Sequence, residues 1–166
     1  MKRIRVIPAL LLHQKGLVKS VRFRDYKYVG DPMNAVRIFN EKEVDELAII
    51  DIDATRDKRS PDVARIASIV SEAFMPIAYG GGISKVEEAE GILLNGAEKV
   101  IINKAAVTDS GLISEIARRF GTQSVVISID FKKTFFGSVN VFTDNGKTNT
   151  HLDPVTFARQ VEQAGA

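Results

Sequence analysis

The stretch IAYGGGISKVEEAEGILL, residues 77–94, decides how this chain folds. It begins with a short apolar segment, passes through the consecutive glycines Gly80, Gly81 and Gly82, and continues into a run with the periodicity of an amphipathic helix. Short apolar segments followed directly by a helix are typical of buried parallel strands in α/β proteins. The stretch therefore predicts one strand–helix unit with a glycine turn between its two elements.

The same unit recurs along the rest of the chain. Helix starts carry the expected capping residues, as in Asp31-Pro32 and Asp153-Pro154. We expect a parallel sheet in which each strand is followed by a helix. Apolar runs predict strands at residues 4–12, 47–50, 77–79, 100–102 and 124–129, and helical periodicity predicts helices at residues 32–40, 61–73, 85–94, 111–120 and 154–164.

Two architectures fit this alternation, the doubly wound open sheet and the eight-unit (βα) barrel. The chain has 166 residues, whereas a barrel of such units needs about 250. Length by itself therefore favours the open sheet. After the fifth predicted strand, alternating residues and the turn Asp144-Asn145-Gly146 predict a β-hairpin excursion, which suggests a lid or a partner contact.

Composition excludes several classes of function. Lys and Arg number 23 against 21 Asp and Glu, and the charges are scattered, so nothing indicates a nucleic-acid partner. The chain has no cysteine and only His13 and His151, which excludes a disulfide, thiolate chemistry, a thiolate metal site and a histidine-rich metal cage. We expect no metal and no cofactor. The chain start lacks a signal-peptide cleavage site and no apolar run approaches the roughly 20 residues of a membrane span, which predicts a cytoplasmic protein with no membrane contact.

The glycine run is the strongest candidate for a binding site. It lies directly after a predicted strand and before a predicted helix, where backbone amides can approach an anion and the helix N-terminus favours negative charge. A phosphate site is one interpretation, and a tight turn without a ligand is the other. The spacings of dinucleotide and triphosphate loops are both missing from this run.

Polar residues also follow the other predicted strands, and in either architecture these carboxyl ends face the ligand crevice. They are Asp51, Asp53, Asn103, Lys104 and Asp130. Asp130 comes after an apolar run, where burial can tune a carboxyl group for proton transfer, although a loop or capping aspartate is the alternative. For Asp51 the local sequence Asp-Ile-Asp before a Thr-Arg-Asp loop favours capping.

Three charged residues, Arg5, Glu46 and Lys99, stand at the opposite, amino-terminal ends of predicted strands. Charges at strand starts are commonly solvated, so the residues alone favour a structural interpretation. The charged run at residues 57–59 is likewise expected to be a solvated loop.

Nine short motifs, in this order along the chain, together resemble one known family. They are Ile7-Pro8-Ala9-Leu10, Gly16-Leu17-Val18-Lys19, Gly30-Asp31-Pro32, Asp45-Glu46-Leu47, Asp51-Ile52-Asp53-Ala54, Gly80-Gly81-Gly82-Ile83, Gly96-Ala97-Glu98-Lys99-Val100, Ile102-Asn103 and Ser128-Ile129-Asp130. The family is the cyclase subunit of imidazole glycerol phosphate synthase. The resemblance implies a (βα)8 TIM barrel, of which residues 1–166 would form a single partial domain with about five of the eight units and an excursion at about residues 134–149.

The resemblance also implies an activity and a partner. The family acts in histidine biosynthesis as a lyase, and a phosphoribulosyl-formimino aminoimidazole carboxamide ribonucleotide reacts with ammonia to give imidazole glycerol phosphate and an aminoimidazole carboxamide ribonucleotide. A glutaminase subunit, bound as a heterodimer at the amino-terminal face of the barrel, supplies the ammonia. No cofactor is implied.

Site residues follow from the matching motifs. Gly81, Gly82 and Asn103 would hold a substrate phosphate. Arg5, Glu46 and Lys99 fall on the charged gate at the ammonia entrance. Asp130 matches one of two acid–base carboxylates, and Lys19 in the first loop would approach the substrate as a further catalytic residue.

One position departs from the family pattern. Leu11 stands where the family has its other catalytic aspartate, and the loss of one acid–base group costs about 10² to 10⁴ in rate. The run of three leucines resembles a paralogous branch associated with surface-sugar biosynthesis, which implies ammonia delivery for amidation of a sugar. A third hypothesis, besides the cyclase and the paralogue, is a scaffold that binds and activates the glutaminase without catalysis.

Overall fold

The computed structural model of the chain describes residues 4–21, 24–134 and 137–166. Met1, Lys2 and Arg3 at the chain start, and Phe135 and Phe136 in the predicted excursion, lie outside the described residues. The strands are β1 (Ala9–His13), β2 (Gly16–Val21), β3 (Arg24–Gly30), β4 (Leu47–Asp51), β5 (Ile77–Gly80), β6 (Lys99–Ile102), β7 (Val125–Ile127), β8 (Phe131–Lys133), β9 (Val139–Thr143) and β10 (Thr148–Asn149). The helices are α1 (Pro32–Glu41), α2 (Val63–Val70), α3 (Val86–Leu94), α4 (Lys104–Thr108), α5 (Ser110–Phe120) and α6 (Pro154–Gln163), with a 3₁₀ turn at Thr122–Ser124.

The main sheet has the strand order β3-β2-β1-β4-β5-β6-β7. Strands β1, β4, β5, β6 and β7 are parallel and lie side by side in chain order, and the antiparallel hairpin β2–β3 extends the edge beside β1. Connections between parallel strands are almost always right-handed. Because each new parallel strand lies on the same side of the one before it, every connecting helix lies on the same face of the sheet. A doubly wound sheet needs a reversal of strand order, and the described residues contain none.

The two faces of the parallel sheet differ in how they are covered. Side chains alternate between the faces, and one set packs into the core together with the helices. That set includes Leu47, Ile49, Ile77, Val100 and Ile102, each with at most 2% of its surface exposed. These residues meet helix residues such as Ile66, Ile92, Ile113 and Ile116. The helices therefore cover one face of the sheet, which we call the outer face.

The other face, here called the inner face, carries an apolar row that the helices do not cover. The strand register aligns Leu11 with Ile50, Ile50 with Gly80, Gly80 with Ile101, and Ile101 with Val126. The side chains of this row lie outside the main core cluster, and Val126 is 37% exposed. Among the described residues the sheet is open and does not close into a barrel. The apolar side chains of its inner face are less buried than those of its outer face.

The predicted helices are confirmed, with shifts at their ends that the capping contacts explain. Asp31 accepts hydrogen bonds from the amides of Met33 and Asn34 at the start of α1. At α2 the capping residue is Asp62, which accepts from the amide of Arg65, so the helix begins two residues after the predicted start at Pro61. A side-chain acceptor at the cap stabilises a helix start by about 1 kcal/mol.

Three features differ from the sequence-based expectation. The first strand begins at Ala9 rather than Ile4, because Pro8 has no amide to give to the ladder and only its carbonyl bonds, to the amide of Ala48. The loop after β1 contains the hairpin β2–β3, and the loop after β6 contains the short helix α4. The excursion after β7 forms the three-stranded sheet β8–β9–β10, and its first strand begins at Phe131, before the predicted bound at residue 134.

The inner face predicts association of the isolated chain. We expect the 166-residue chain to elute from size-exclusion chromatography with light scattering as oligomers, because burial of each partly exposed apolar side chain in the row gains about 1 kcal/mol or more. Replacing Ile101 and Val126 together by Thr is expected to reduce the oligomer fraction. The control is Val155→Thr, since Val155 is 60% exposed but lies on α6. A sharp monomer peak for the unsubstituted chain would contradict this prediction.

Candidate functional site

The carboxyl ends of the parallel strands bring together most of the predicted site residues. Asp51 ends β4, the glycine run follows β5, Asn103 follows β6 and Asp130 follows β7. Neighbouring parallel strands end at the same edge of a sheet, which is where α/β proteins bind ligands. We call this end of the sheet, where the carboxyl ends of the parallel strands lie, the carboxyl edge.

The glycine run is required by close packing. Gly81 and Gly82 have φ angles of +118° and +75°, which L side chains rarely adopt. A Cβ at Gly81 would lie 2.3 Å from the carbonyl oxygen of Asp51, and one at Gly82 would lie 2.5 Å from the carbonyl oxygen of Arg59. These glycines let the loop pack against the segment after β4, so their presence does not by itself require an anion.

The start of α3 is already occupied by a carboxylate of the chain. Glu88 Oε2 accepts hydrogen bonds from the amides of Ser84 and Lys85 at 2.8 and 3.1 Å, and Oε1 accepts from the hydroxyl of Ser60 at 2.6 Å. Burial opposes ionisation, but the hydrogen bonds from Ser60 and Ser84 outweigh it and lower the pKa of Glu88. The carboxylate of Glu88 places a negative charge at the start of α3, which would repel a second anion there. A bound anion at this edge would therefore use the loop amides. The amide of Gly82 makes one long hydrogen bond, 3.4 Å, to Thr55 Oγ1.

Asp51 has a structural role, as the local sequence favoured. Its Oδ1 accepts hydrogen bonds from the amides of Asp53 and Ala54, each at 3.0 Å, and its Oδ2 accepts from Arg59 at 2.9 Å. The hydrogen bond to Asp51 raises the pKa of Arg59. These contacts fix the loop after β4, against which the glycine run packs.

Asn103 and Asp130 lie together at the carboxyl edge. Asn103 Nδ2 donates to the carbonyl oxygen of Ser128 at 2.9 Å and to Asp130 Oδ2 at 3.3 Å. The backbone carbonyl of Asp130 accepts from the amide of Phe142 at 2.8 Å, which attaches the excursion to the sheet. A further link is the ion pair of 2.7 Å between Lys104 and Asp144, which lowers the pKa of Asp144. The excursion is thus held over the pair formed by Asn103 and Asp130.

Lys19 does not lie with these residues. It is an exposed residue of β2, opposite Lys27 in the hairpin. Its side chain forms no hydrogen bond or ion pair with the described part of the chain. Strands β1, β4, β5 and β6 separate β2 from β7 in the sheet, so Lys19 and Asp130 are not neighbours.

Sequence reasoning missed a cluster around Asp53, which has 1% of its surface exposed. The carboxylate of Asp53 lies 2.9 Å from His13 Nδ1, accepts from the amide of Gln14 at 2.7 Å and pairs with Arg56 at 3.0 Å. The ring of His13 stacks on Tyr26 with 4.4 Å between the centroids. About 40 residues separate the two members of the pair, so no local pattern could have signalled it.

At the amino-terminal ends of the strands, Glu46 joins two cations. Its Oε2 lies 2.5 Å from Lys99 Nζ, and its Oε1 accepts from the guanidinium of Arg5. Glu46 has 5% of its surface exposed and the Lys99 side chain 20%. The expectation that these charges are solvated is therefore wrong for Glu46 and Lys99. We call the three residues the Glu46 cluster.

The described residues contain neither a metal-binding cluster nor a membrane-spanning helix. In the ranges 4–21, 24–134 and 137–166, no three His, Asp or Glu side chains are grouped so as to hold a metal ion. Over the same ranges, none of the helices combines the length and the apolar character that crossing a membrane requires.

The buried pairing of Glu46 predicts a large stability effect. Glu46→Gln removes the anion while Lys99 stays largely buried, and loss of one partner of a buried ion pair costs about 3 kcal/mol. We expect a correspondingly lower midpoint in urea unfolding followed by circular dichroism. The control is Glu98→Gln, the same change at an exposed neighbour of Lys99. Equal midpoints for the two variants would show that the cluster is solvated.

The glycine run predicts a second stability effect. Gly82→Ala is strained by its φ of +75° and also by the contact with the carbonyl of Arg59, whereas Gly146→Ala has nearly the same φ, +74°, and its nearest neighbour is 3.7 Å away. Backbone strain alone costs about 1–2 kcal/mol. We expect thermal unfolding to show a clearly larger loss for Gly82→Ala than for Gly146→Ala. Similar losses would mean that close packing does not determine the glycine.

Comparison with known proteins identifies the family. The family model described as "Histidine biosynthesis protein" matches residues 5–166. A Pseudomonas aeruginosa protein provisionally named imidazole glycerol phosphate synthase subunit hisF2 is 54% identical over 99% of this chain and 66% of its own length. A Vibrio vulnificus protein, provisionally named subunit hisF3, is 50% identical over 100% of this chain and 64% of its own, and subunit HisF of Chlorobaculum parvum is 40% identical over 98% and 64%. The chain spans about two thirds of the length of these relatives, and it belongs to the histidine biosynthesis protein family, among proteins of the imidazole glycerol phosphate synthase HisF type.

Proposed function

We propose that this chain forms the first five strand–helix units of a (βα)8 barrel and works as an imidazole glycerol phosphate synthase cyclase-type subunit with ammonia from a glutaminase. The observation that carries the proposal is the Glu46 cluster, a buried carboxylate between two cations at the end of the sheet opposite the carboxyl edge. Buried ion pairs gain little net stability over apolar packing. Their presence at this end therefore favours a functional role.

The apolar inner face of the sheet supports the barrel part of this proposal. In a closed barrel the row that contains Leu11, Ile50, Ile101 and Val126 becomes one layer of the packed interior. Strands in chain order with all helices outside are the arrangement that a barrel requires. Completion of the barrel would also pair the free edge of β7.

The proposed reaction uses the carboxyl edge. The loop amides of Gly81 and Gly82, with Asn103 after the neighbouring strand, would hold a substrate phosphate. Asp130 would exchange protons with the substrate, and its hydrogen bond from Asn103 orients the carboxyl group. Lys19 would reach the substrate from the hairpin β2–β3, which requires a movement of that hairpin toward β7.

The Glu46 cluster would serve as the ammonia gate. Arg5 comes before β1, Glu46 directly precedes β4 and Lys99 begins β6. Barrel closure would set the three side chains around the axis at the amino-terminal mouth. The exposed apolar side chains Phe74 and Leu94, with 90% and 72% of their surfaces accessible, lie at this same end of the sheet. Apolar groups exposed in this way fit a protein partner, which in this proposal is the glutaminase in a cytoplasmic heterodimer.

A second function is favoured by Leu11. Leucine cannot transfer a proton. The chain is also more similar to the relatives named hisF2 and hisF3, at 54% and 50% identity, than to HisF of Chlorobaculum parvum, at 40%. A paralogue that keeps the gate but delivers ammonia to another acceptor, for amidation of a surface sugar, would need the Glu46 cluster and not an aspartate at Leu11.

The test measures how glutamine hydrolysis is coupled to amination in the complex with the glutaminase. Lys99→Met removes the cation from Glu46, so we expect hydrolysis to continue while aminated product per glutamine falls several-fold as ammonia escapes. A high concentration of ammonium salt in place of glutamine should bypass much of the loss. The control is Lys147→Met, at an exposed position of the excursion.

The outcomes separate the possible functions. Imidazole glycerol phosphate from the unsubstituted complex supports the cyclase, whereas amination of a sugar acceptor alone supports the paralogue. Stimulated glutamine hydrolysis without any aminated product would identify a scaffold. A coupling ratio in Lys99→Met equal to that of the unsubstituted complex would reduce the cluster to a structural ion pair.

A further inference from the structure

His13 lies at the carboxyl edge with one ring nitrogen fixed by a buried charge. An ionised carboxylate only accepts hydrogen bonds, so the 2.9 Å contact with Asp53 requires a proton on His13 Nδ1. Arg56 and the amide of Gln14 hold the same carboxylate. In the neutral imidazole the other nitrogen, Nε2, then has a free lone pair.

The second nitrogen is available for chemistry. Within the described part of the chain Nε2 forms no hydrogen bond, and the side chain of His13 is 20% exposed. The ring lines an open cavity of about 420 Å³ together with Lys15, Tyr26 and Tyr28. The stack on Tyr26 and the bond to Asp53 fix the plane of the ring and its rotation. A histidine positioned by a buried carboxylate is the usual arrangement of an acid–base catalyst.

The position of His13 is related to that of Leu11. Side chains two residues apart on a strand lie on the same face, about 7 Å apart along the strand. His13 thus lies on the inner face of β1, two residues nearer the carboxyl edge than Leu11. The proton-transfer group that is absent at Leu11 thus has a chemically competent neighbour on the same face of β1.

We propose that His13 is a general acid–base residue of this chain, held in its reactive orientation by Asp53, and that it transfers protons when ammonia adds to a carbonyl carbon of the substrate. The inference rests on the proposed use of ammonia. Asp53 acts through His13 and is a positioning residue.

The step balances without a further reactant. The ammonia nitrogen forms a bond to the carbonyl carbon, and the carbonyl π electrons move to the oxygen. Nε2 accepts a proton from the new ammonium group and returns it to the oxygen, which gives a carbinolamine. Nε2 then carries a second proton from the nitrogen to the hydroxyl group, and water leaves as the C=N bond forms. Ammonia and the carbonyl compound thus give an imine and water, and the imidazole ends in its starting state.

The charged surroundings of His13 fit this role. Asp53 is the carboxylate in contact with the ring, and Arg56 keeps it paired, while Asp57 acts on the ring only through a weaker electrostatic interaction. Lys15 lines the same cavity and adds a positive charge for an anionic substrate. The site therefore combines a proton acceptor with a cation that favours phosphorylated substrates.

The first test needs no substrate. In the chain labelled with ¹⁵N-histidine, long-range ¹⁵N–¹H correlation at about pH 9, well above the ordinary imidazole pKa of about 6.5, reports which nitrogen carries the proton. His151→Asn identifies the signals, because the chain has two histidines and asparagine tolerates the φ of 60° at that position. We expect Nδ1–H for His13, and loss of that preference in Asp53→Asn. A proton on Nε2 would overturn the inference.

The second test measures turnover with ammonium salt in the complex with the glutaminase. His13→Ala is expected to lower kcat by about 10²- to 10⁴-fold with a smaller change in KM, and imidazole added to the buffer should restore part of the rate. Asp53→Asn should also lower kcat, without rescue by imidazole. The control is His151→Asn, which should match the unsubstituted protein.

The outcomes distinguish this inference from the proposed function. Turnover by the unsubstituted complex with an unchanged rate in His13→Ala, or a lowered rate that imidazole does not restore, would overturn the role of His13 alone. If the unsubstituted complex aminates no carbonyl acceptor, the proposed ammonia chemistry fails and the role of His13 fails with it, whatever the tautomer.

Discussion

The right-handed crossover between parallel strands is the constraint on which this structure depends. Because β1, β4, β5, β6 and β7 follow one another without a reversal, every helix that connects two of them lies on the outer face. The apolar row on the inner face is therefore not covered by helices. Polar residues lie at the two ends of the strands, in the Glu46 cluster and at the carboxyl edge. Burial of the inner row, by barrel closure or by association, is what the hydrophobic effect then favours.

The two ends of the sheet use charge in different ways. At the amino-terminal end Glu46 is removed from water and held between Arg5 and Lys99. At the carboxyl edge the buried carboxylates of Asp51 and Asp53 fix loops and a histidine ring. In each case several donors compensate for the cost of burying a charge, and the geometry of neighbouring groups becomes fixed as a result.

The glycine run illustrates how one sequence signal can have two causes. Gly81 and Gly82 suggest an anion site, but the structure gives a sufficient steric reason for both, since any Cβ would enter the segment after β4. The amides of Ser84 and Lys85, directly before α3, are already bonded to Glu88. A phosphate site there would depend on the loop amides, and stability measurements on glycine variants separate the packing requirement from binding.

The sequence by itself determined the alternation of strands and helices, because hydrophobic periodicity and capping residues such as Asp31 and Asp153 act over a few neighbouring positions. It also indicated the excursion after Asp130. Only the tertiary structure decided that the sheet is singly wound, that Glu46 is buried between two cations, and that His13 meets Asp53. The strand order depends on pairs such as Ala78 with Lys99 and Val100 with Val125. The contacts of Glu46 and of His13 join residues about 40 or more positions apart. All of these contacts form when strands pair side by side, and no local pattern encodes them.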